Sequence, residues 1–390
     1  MMKNILLLIA AIAIIFVIGE VSINAYDTIV GRSHCALSDE VMDFRGWRFD
    51  DMLNRVHIPG LKFTYAALDG REFRNVVEYS AKGLRDHDYP YEKQANVTRI
   101  LVFGDSFVEA LQVKQEDNFC KRLEKLLNES GGPDRFEVIN MGVSGYSPML
   151  EYLYLKYEGM KYSPDIVLAC FFMNDVYEDS CYKGLASFGP DGLPTAVRAQ
   201  GVDKIKKVKG FKKAGRIVSG AFKRIVNKSR FYVFIKKRVY RLLARYGMKE
   251  KEDKKNQFFV LTQKPGQEEI EMWRDSFRYI RAMKELSESG GARFLLTIMP
   301  VEPQITASTE SASFRAYFTQ TPDSGAVNAL IDRFCAENDI QRLQLYNVFR
   351  TKKDEGLYFK NDGHLTPRGH SVTADALLQR FIDLGWATKG

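Results

Sequence analysis

No two cysteines in this chain are spaced C-x-x-C, and no H-E-x-x-H occurs, so the usual zinc patterns are missing and no metal is implied. The phosphate-cradling G-x-x-x-x-G-K-[ST] loop is missing as well: the run from Gly210 to Gly215 continues into Arg216. G-x-S-x-G, the strained turn that presents a nucleophilic serine in many hydrolases, is not matched by Gly142-Val143-Ser144-Gly145, whose spacing is wrong. No cofactor is implied by what remains. The five cysteines are Cys35, Cys120, Cys170, Cys181 and Cys335. Cys120 and Cys170 sit in apolar patterns and read as small core residues. A Cys35–Cys181 bridge is open to a chain outside the cytosol, but spacing does not establish it.

The long apolar run at residues 5–19 stands directly behind Lys3. A short positive start followed by an apolar segment is the layout of an export signal. Its length falls short of the roughly 20 residues needed to cross a bilayer untilted. Extension through Val21 to Ile23 would bring Glu20 to the headgroups, and Ser22-Ile23-Asn24-Ala25 is a mediocre cleavage site. Residues 1–25 therefore read as a signal anchor in preference to a cleaved signal peptide, and the extreme N-terminal position argues against a buried core helix. On either export reading the rest of the chain works outside the cytosol: anchored at the periplasmic or cell-surface side of a membrane, or secreted.

Charge is unevenly spread. Residues 202–256 hold 20 Lys and Arg against four acids (Asp203, Glu250, Glu252 and Asp253), a net of +16 in a chain whose total is +8, so everything else sums to −8. Apolar residues recur at helical spacing there, among them Ile217, Phe222, Ile225, Phe231, Phe234 and Leu242. A basic amphipathic helix of this kind can lie on an anionic membrane surface or glycan, or can be a solvated cap packed on the domain. Export argues against nucleic acid, and Lys206-Lys207 and Lys212-Lys213 lack the interleaved aromatics of a base-stacking platform.

At 45% hydrophobic and 27% charged, the composition is that of a globular protein with one large domain plus additions. Residues 26–97 read as an N-terminal extension in which Leu61–Tyr65 and Val76–Tyr79 flank Asp69-Gly70 as a hairpin. No chemistry is evident in it, and His57 and His87 are expected at the surface. From residue 98 strands and helices alternate. Strands are expected at 98–103, 137–140, 165–172, 292–299 and near 343–346, and helices at 116–130, 148–161, 267–289, 324–338 and 367–384. That order implies an α/β fold, a three-layer α/β/α sandwich around a mostly parallel sheet. The main domain takes residues 98–182 and 267–390, interrupted by an insertion at 183–266 whose first part, 184–200, reads as loop.

The strand Thr98-Arg99-Ile100-Leu101-Val102-Phe103 stops at Gly104-Asp105-Ser106, at the sheet edge where open α/β folds put ligands. Taken alone, Ser106 is as well suited to capping the next helix as to attack. Other strand ends supply what acyl transfer requires: a base, an orienting acid and donors for an oxyanion. The glycine-bracketed turn Gly142–Gly145 offers a backbone N–H, Asn174-Asp175 a side-chain amide, and the late loop Asn361-Asp362-Gly363-His364 an acid and an imidazole.

Gly104-Asp105-Ser106-Phe107, the turn ending at Gly145, Asn174-Asp175, and Asp362 with His364 resemble, in order and in strand context, the four blocks of the SGNH (GDSL-type) hydrolase superfamily. The chain is similar to exported or membrane-anchored bacterial members, which carry a Gly-x-Arg segment like Gly83-Leu84-Arg85 before the first block. The resemblance implies a flavodoxin-like SGNH fold. It makes Ser106 the nucleophile and oxyanion donor, Gly145 and Asn174 the other donors, His364 the base and Asp362 its orienter. Two positions depart from the pattern. Phe172 stands where a glycine is common two residues before the Asn, and Asp362 precedes His364 by two positions where three is usual, a spacing similar to that of exopolysaccharide O-acetylation proteins. His370 is a rival base, but no acid precedes it at either spacing; Asp105 and Asp175 read as turn anchors.

What the resemblance implies is a serine esterase acting on carboxylic esters, acetyl esters first, of a cell-envelope or secreted glycan. The partners are then an acylated glycan or small ester and a membrane, without nucleic acid. A glycan O-acyltransferase with the same site is one alternative. A non-catalytic surface protein that binds anionic lipid or polysaccharide through 202–256 is another.

Overall fold

The structure is a computed structural model that describes residues 46–67, 72–130, 135–199, 266–306 and 324–388. All of these belong to one unit, built from 40–200 and 255–390. The apolar run 5–19, the basic stretch 202–256 and Cys35 lie outside the described residues.

Two hairpins come first. β1 (Trp47–Asp50) pairs antiparallel with β2 (Asn54–His57), and β3 (Lys62–Ala66) with β4 (Arg74–Glu78). The second is the expected hairpin. The first was not foreseen, and its turn is built locally: the Asp50 carboxylate accepts from the backbone N–H of Met52 and of Leu53, each at 2.8 Å, and Asn54 adopts a φ of 60°. His57 is not on the surface as expected. It is 4% exposed, stacked on Tyr79 with ring centroids 4.0 Å apart, whereas His87 is exposed.

β5 (Val97–Phe103) opens the main sheet. It is followed by α1 (Ser106–Glu109), α2 (Phe119–Glu129), β6 (Arg135–Asn140), α3 (Pro148–Tyr157), β7 (Ile166–Phe172) and α4 (Asp175–Lys183). A small hairpin, β8 (Ala186–Phe188) with β9 (Pro194–Val197), occupies part of what reads as loop in the sequence. Its turn uses Asp191-Gly192, with Gly192 at φ 72°, and a tertiary bond from Val197 N–H to the Met52 carbonyl (2.8 Å) docks it. α5 (Gln267–Ser289), β10 (Arg293–Met299), α6 (Glu302–Thr306), α7 (Ser324–Glu337), β11 (Gln341–Gln344), α8 (Tyr346–Thr351) and α9 (Pro367–Asp383) complete the described chain.

The main sheet runs β11-β10-β7-β5-β6 with all strands parallel. β7 sits at its centre and every one of its residues is buried, as a strand covered on both faces requires. The chain steps from β5 outward to β6, then reverses across β5 to β7. Right-handed crossovers running in opposite directions put α2 and α3 on opposite faces of the sheet. α9 packs on α2, and α5 packs on α3 and α4, which gives the sandwich its two outer layers. In open α/β sheets such a reversal marks the carboxyl ends of the strands flanking it, here β5 and β7, as the place for a ligand. At the opposite end Arg99, 1% exposed, pairs with Glu137 at 2.8 Å and donates to the carbonyls of Tyr91 (3.1 Å) and Tyr162 (2.8 Å). A buried cation is tolerated there because its donors are met.

Candidate active site

β5 ends at Gly104, where a side chain would collide with Val108 Cγ2 at 2.3 Å. The chain can therefore turn at once into α1. Asp105, not Ser106, caps that helix: its carboxylate accepts from Phe107 N–H at 2.9 Å. Ser106 thus becomes the first helical residue with its hydroxyl uncommitted to capping, and Ala110 ends the turn in the left-handed conformation, φ 54°.

Ser106 Oγ lies 2.7 Å from His364 Nε2, and His364 Nδ1 lies 2.6 Å from Asp362 Oδ1. All three side chains are partly exposed. The imidazole packs against Phe107, with ring centroids 4.8 Å apart, and Phe107 in turn meets Phe172 at 4.1 Å. Phe172, standing where glycine is common, therefore packs behind Phe107, the ring on which the imidazole rests. Asp362 also takes a hydrogen bond from the Gln112 side chain. Burial works against the Asp362 carboxylate, but the hydrogen bond and charge of His364, with further help from Gln112, outweigh it and hold its pKa below the ordinary value. Gln112, 4% exposed, is a contributor that no sequence motif signals.

The second block packs directly against the first. Val143 N–H bonds the Gly104 carbonyl at 3.0 Å, and a side chain at Gly142 would strike Glu109 N at 2.4 Å. Gly145 follows at φ 75°, a conformation that favours glycine. The backbone N–H groups of Ser106 and Gly145 donate to no group among the described residues. Ser144 N–H is taken by Glu109 Oε2 at 2.8 Å, and the Ser144 hydroxyl bonds the same oxygen.

Asn174 ends the third block. Its Nδ2 donates to Glu178 Oε1 at 3.0 Å and its side chain also bonds Asp105, while its Oδ1 has no partner among the described residues. Asp175 accepts from Phe172 N–H at 2.8 Å, the turn-anchoring role expected of it. Behind Asn174 lies a group of buried acids. Burial, reinforced by the Asp105 charge, pushes Glu178 up to about 8, and burial alone leads the rise of Asp179 to about 7. Asp105, Glu151 and Asp175 are raised too, chiefly by burial. His370 is remote in function from this line: it is 2% exposed, its Nδ1 accepts from Phe119 N–H at 3.3 Å, and burial drives its pKa down to about 3, so it is a neutral core residue at the start of α9.

Chemically, an oxygen, an imidazole and a carboxylate in line, beside two unengaged backbone N–H groups, can activate a hydroxyl and receive an oxyanion. No group of His, Cys, Asp and Glu among the described residues is arranged to hold a metal ion. No helix among the described residues is long and apolar enough to cross a membrane.

Compared with models of known protein families and with curated proteins, the chain finds no match. Among solved structures it is similar to the acetyl xylan esterase AlAXEase, at 14% identity and a TM-score of 0.40, over 72% of this chain and 98% of that one. It is similar also to a catalytic mutant of Axe2, an acetylxylan esterase from Geobacillus stearothermophilus, at 11% identity and a TM-score of 0.38, over 73% and 93% of the two chains. A G-D-S-L family lipolytic protein from Desulfitobacterium hafniense is similar at 13% identity and a TM-score of 0.36, over 73% and 99%. What gives this edge of the sheet its chemistry is the side-chain geometry of Ser106, His364 and Asp362.

Proposed function

We propose that this chain is a serine esterase of the SGNH (GDSL) type that removes small acyl groups, acetyl first, from a glycan of the cell envelope or a secreted glycan. The observation that carries the proposal is the continuous line from Ser106 Oγ through His364 to Asp362, at 2.7 and 2.6 Å. In the reaction His364 Nε2 takes the Ser106 proton as Oγ forms a bond to the ester carbonyl carbon. The carbonyl oxygen becomes an oxyanion and is received by the N–H groups of Ser106 and Gly145, with the Asn174 amide as a third donor. Collapse breaks the bond to the alcohol, which leaves with the proton held by His364. Water, deprotonated by the same ring, then frees the acid and restores Ser106. Asp362 keeps the imidazole in the tautomer that leaves Nε2 free to accept.

The glycan and the acetyl group follow the sequence resemblance. Action outside the cytosol, anchored or secreted, follows from the apolar run 5–19 behind Lys3. Incubation of the purified protein with a serine-directed fluorophosphonate, followed by mapping of the adduct, tests the nucleophile. Label on Ser106 that vanishes in His364→Ala supports the reading, and a folded protein without label overturns it. Product analysis on an acetylated oligosaccharide, with and without a second oligosaccharide as acceptor, decides between water and a sugar hydroxyl as the group that resolves the acyl-enzyme.

A further inference from the structure

The N-terminal extension reads in the sequence as a piece with no chemistry, yet β2 is fastened to the turn that carries Gly145. Alternation along a strand puts Arg55 and His57 on the same face. Arg55 Nη2 donates to the Tyr182 hydroxyl at 2.6 Å, and that hydroxyl donates to the Gly145 carbonyl at 2.5 Å. The guanidinium is stacked over Trp47, 4.7 Å from the ring centroid, and its Nη1 would be 3.2 Å from a side chain at Gly145. The Tyr146 hydroxyl bonds the Arg55 carbonyl at 2.6 Å. Two residues on, His57 Nε2 lies 3.0 Å from Glu109 Oε1, and the other Glu109 oxygen holds Ser144 N–H at 2.8 Å. The peptide unit between Ser144 and Gly145 therefore has a fixed neighbour on each side. Glu109 holds the amide before it and Tyr182 the carbonyl after it, and both reach back to β2.

We infer that Arg55, acting through Tyr182, is a positioning residue that aims the Gly145 N–H at the oxyanion. The inference rests on the esterase reading of the site. A donor that is not pre-aimed must reorganise as charge develops, and that loss falls on kcat, since the ground-state carbonyl makes little demand on it. Hydrogen bonds in series polarise one another, so the guanidinium also strengthens the bond from Tyr182 to the carbonyl.

The test is steady-state kinetics on p-nitrophenyl acetate with Tyr182→Phe, Arg55→Met, Arg55→Lys and the Tyr182→Phe/Arg55→Met pair. Tyr182→Phe removes one hydroxyl and keeps the ring that packs in the core, so it separates aim from folding. The first two variants are expected to lose about 10- to 100-fold in kcat with KM changed less than about threefold. Arg55→Lys should recover part of the loss. The double variant should lose no more than the worse single one, because both act through one chain of bonds. A kcat for Tyr182→Phe within about twofold of the parent, a loss confined to KM, or losses that multiply in the double variant would overturn the inference. A parent protein that neither turns over the ester nor takes up fluorophosphonate sinks the esterase reading and this inference with it; an active parent with an unimpaired Tyr182→Phe sinks only the inference.

Discussion

Asp362 Oδ1 faces both the ring Nδ1 of His364, at 2.6 Å, and the backbone N–H of the same residue, at 3.3 Å. The two-residue spacing makes this double contact possible: Gly363, at φ 85°, folds the chain back so that the carboxylate meets the imidazole it precedes. The acid is thereby tied to the backbone of the base as well as to its ring. Asp362→Asn leaves the shape but replaces the charged acceptor with an amide whose NH2 can donate to Nδ1 and so favour the wrong tautomer. We expect kcat on an activated ester to fall by about 10³ to 10⁴, with the thermal midpoint little changed, as the triad template predicts. Asp362→Asn that keeps a tenth or more of the parent kcat would remove Asp362 from the mechanism.

Glu109 is fully buried and close to His57, Tyr79 and Ser144. Burial disfavours its carboxylate, but the charge and hydrogen bond of His57 and the hydrogen bonds of Ser144 and Tyr79 win, holding it at about 2 against an ordinary 4.5. The folded pKa is depressed, so the stabilisation is complete above the unfolded value and is lost as pH falls from about 4.5 through about 2. Across that window the parent should lose on the order of 3 kcal/mol more stability than Glu109→Gln does, measured by denaturant unfolding at several pH values. Parallel curves for the two proteins would show that Glu109 is not held as a carboxylate.

Much of this was legible from the chain itself, because the signals were local. Strand β7 is an uninterrupted apolar run, and β5 and β10 are mostly apolar beyond their first residues, which is the pattern of strands buried on both faces. Helix α9 carries its start in Thr366-Pro367, where the Thr366 hydroxyl accepts from Gly369 N–H at 3.2 Å and proline takes the first helical position. The residues of the candidate site stood out for the same reason: each stands where a strand or loop breaks into Gly, Asn or Asp. What escaped was tertiary. His57 looks like a surface histidine because nothing near it in sequence explains it; its partner Glu109 is far along the chain and belongs to a helix of one turn. Arg55, Gln112 and Tyr182 belong to no motif, and each acquires its contact only when separate elements meet. Hairpin β8–β9 was hidden by its Gly and Pro content, although Asp191-Gly192 is a turn signal in its own right.

Asp179 makes an opposite prediction about stability. It ties three helices at once, accepting from the Ser147 hydroxyl (2.6 Å), Met149 N–H (3.0 Å) and the Ser276 hydroxyl (2.6 Å). Burial nevertheless prevails over those bonds and lifts it to about 7 from an ordinary 3.8. A raised folded pKa means a contribution fully present below the unfolded value and lost as pH rises through the folded one. Parent stability should therefore decline between about pH 4 and pH 8, by a few kcal/mol from this residue. Asp179→Asn should flatten that decline in the same unfolding series. With Glu109 acting on the acid side, the stability maximum is expected between about pH 4 and pH 5. A maximum at pH 8 would contradict the assignment of Asp179.

Glu178 extends this from stability to activity. Its Oε1 accepts from Asn174 Nδ2 at 3.0 Å, while Glu178 Oε2 and Asn174 Oδ1 are both buried without a partner among the described residues. The orphan amide oxygen is satisfied if Glu178 carries a proton and the Asn174 amide is turned over: the acid then donates to Oδ1, and Nδ2 is released from Glu178 for the proposed oxyanion. Burial and the Asp105 charge, with a smaller push from Asp179, keep Glu178 protonated up to about 8 against the opposing effects of Asn174 and Arg55. Above that value the carboxylate can only accept, and it draws Nδ2 back to itself. We therefore expect kcat to fall above about pH 8 in the parent, toward the 10²-fold or greater loss typical of a missing oxyanion donor. Glu178→Gln, whose amide can always donate to Asn174 Oδ1, should keep its kcat through pH 9. In Asn174→Ala the alkaline decline should vanish too, at a kcat low throughout. A parent whose kcat stays level from pH 7 to pH 9, or a Glu178→Gln variant that declines in step with it, would show that Glu178 does not govern the amide.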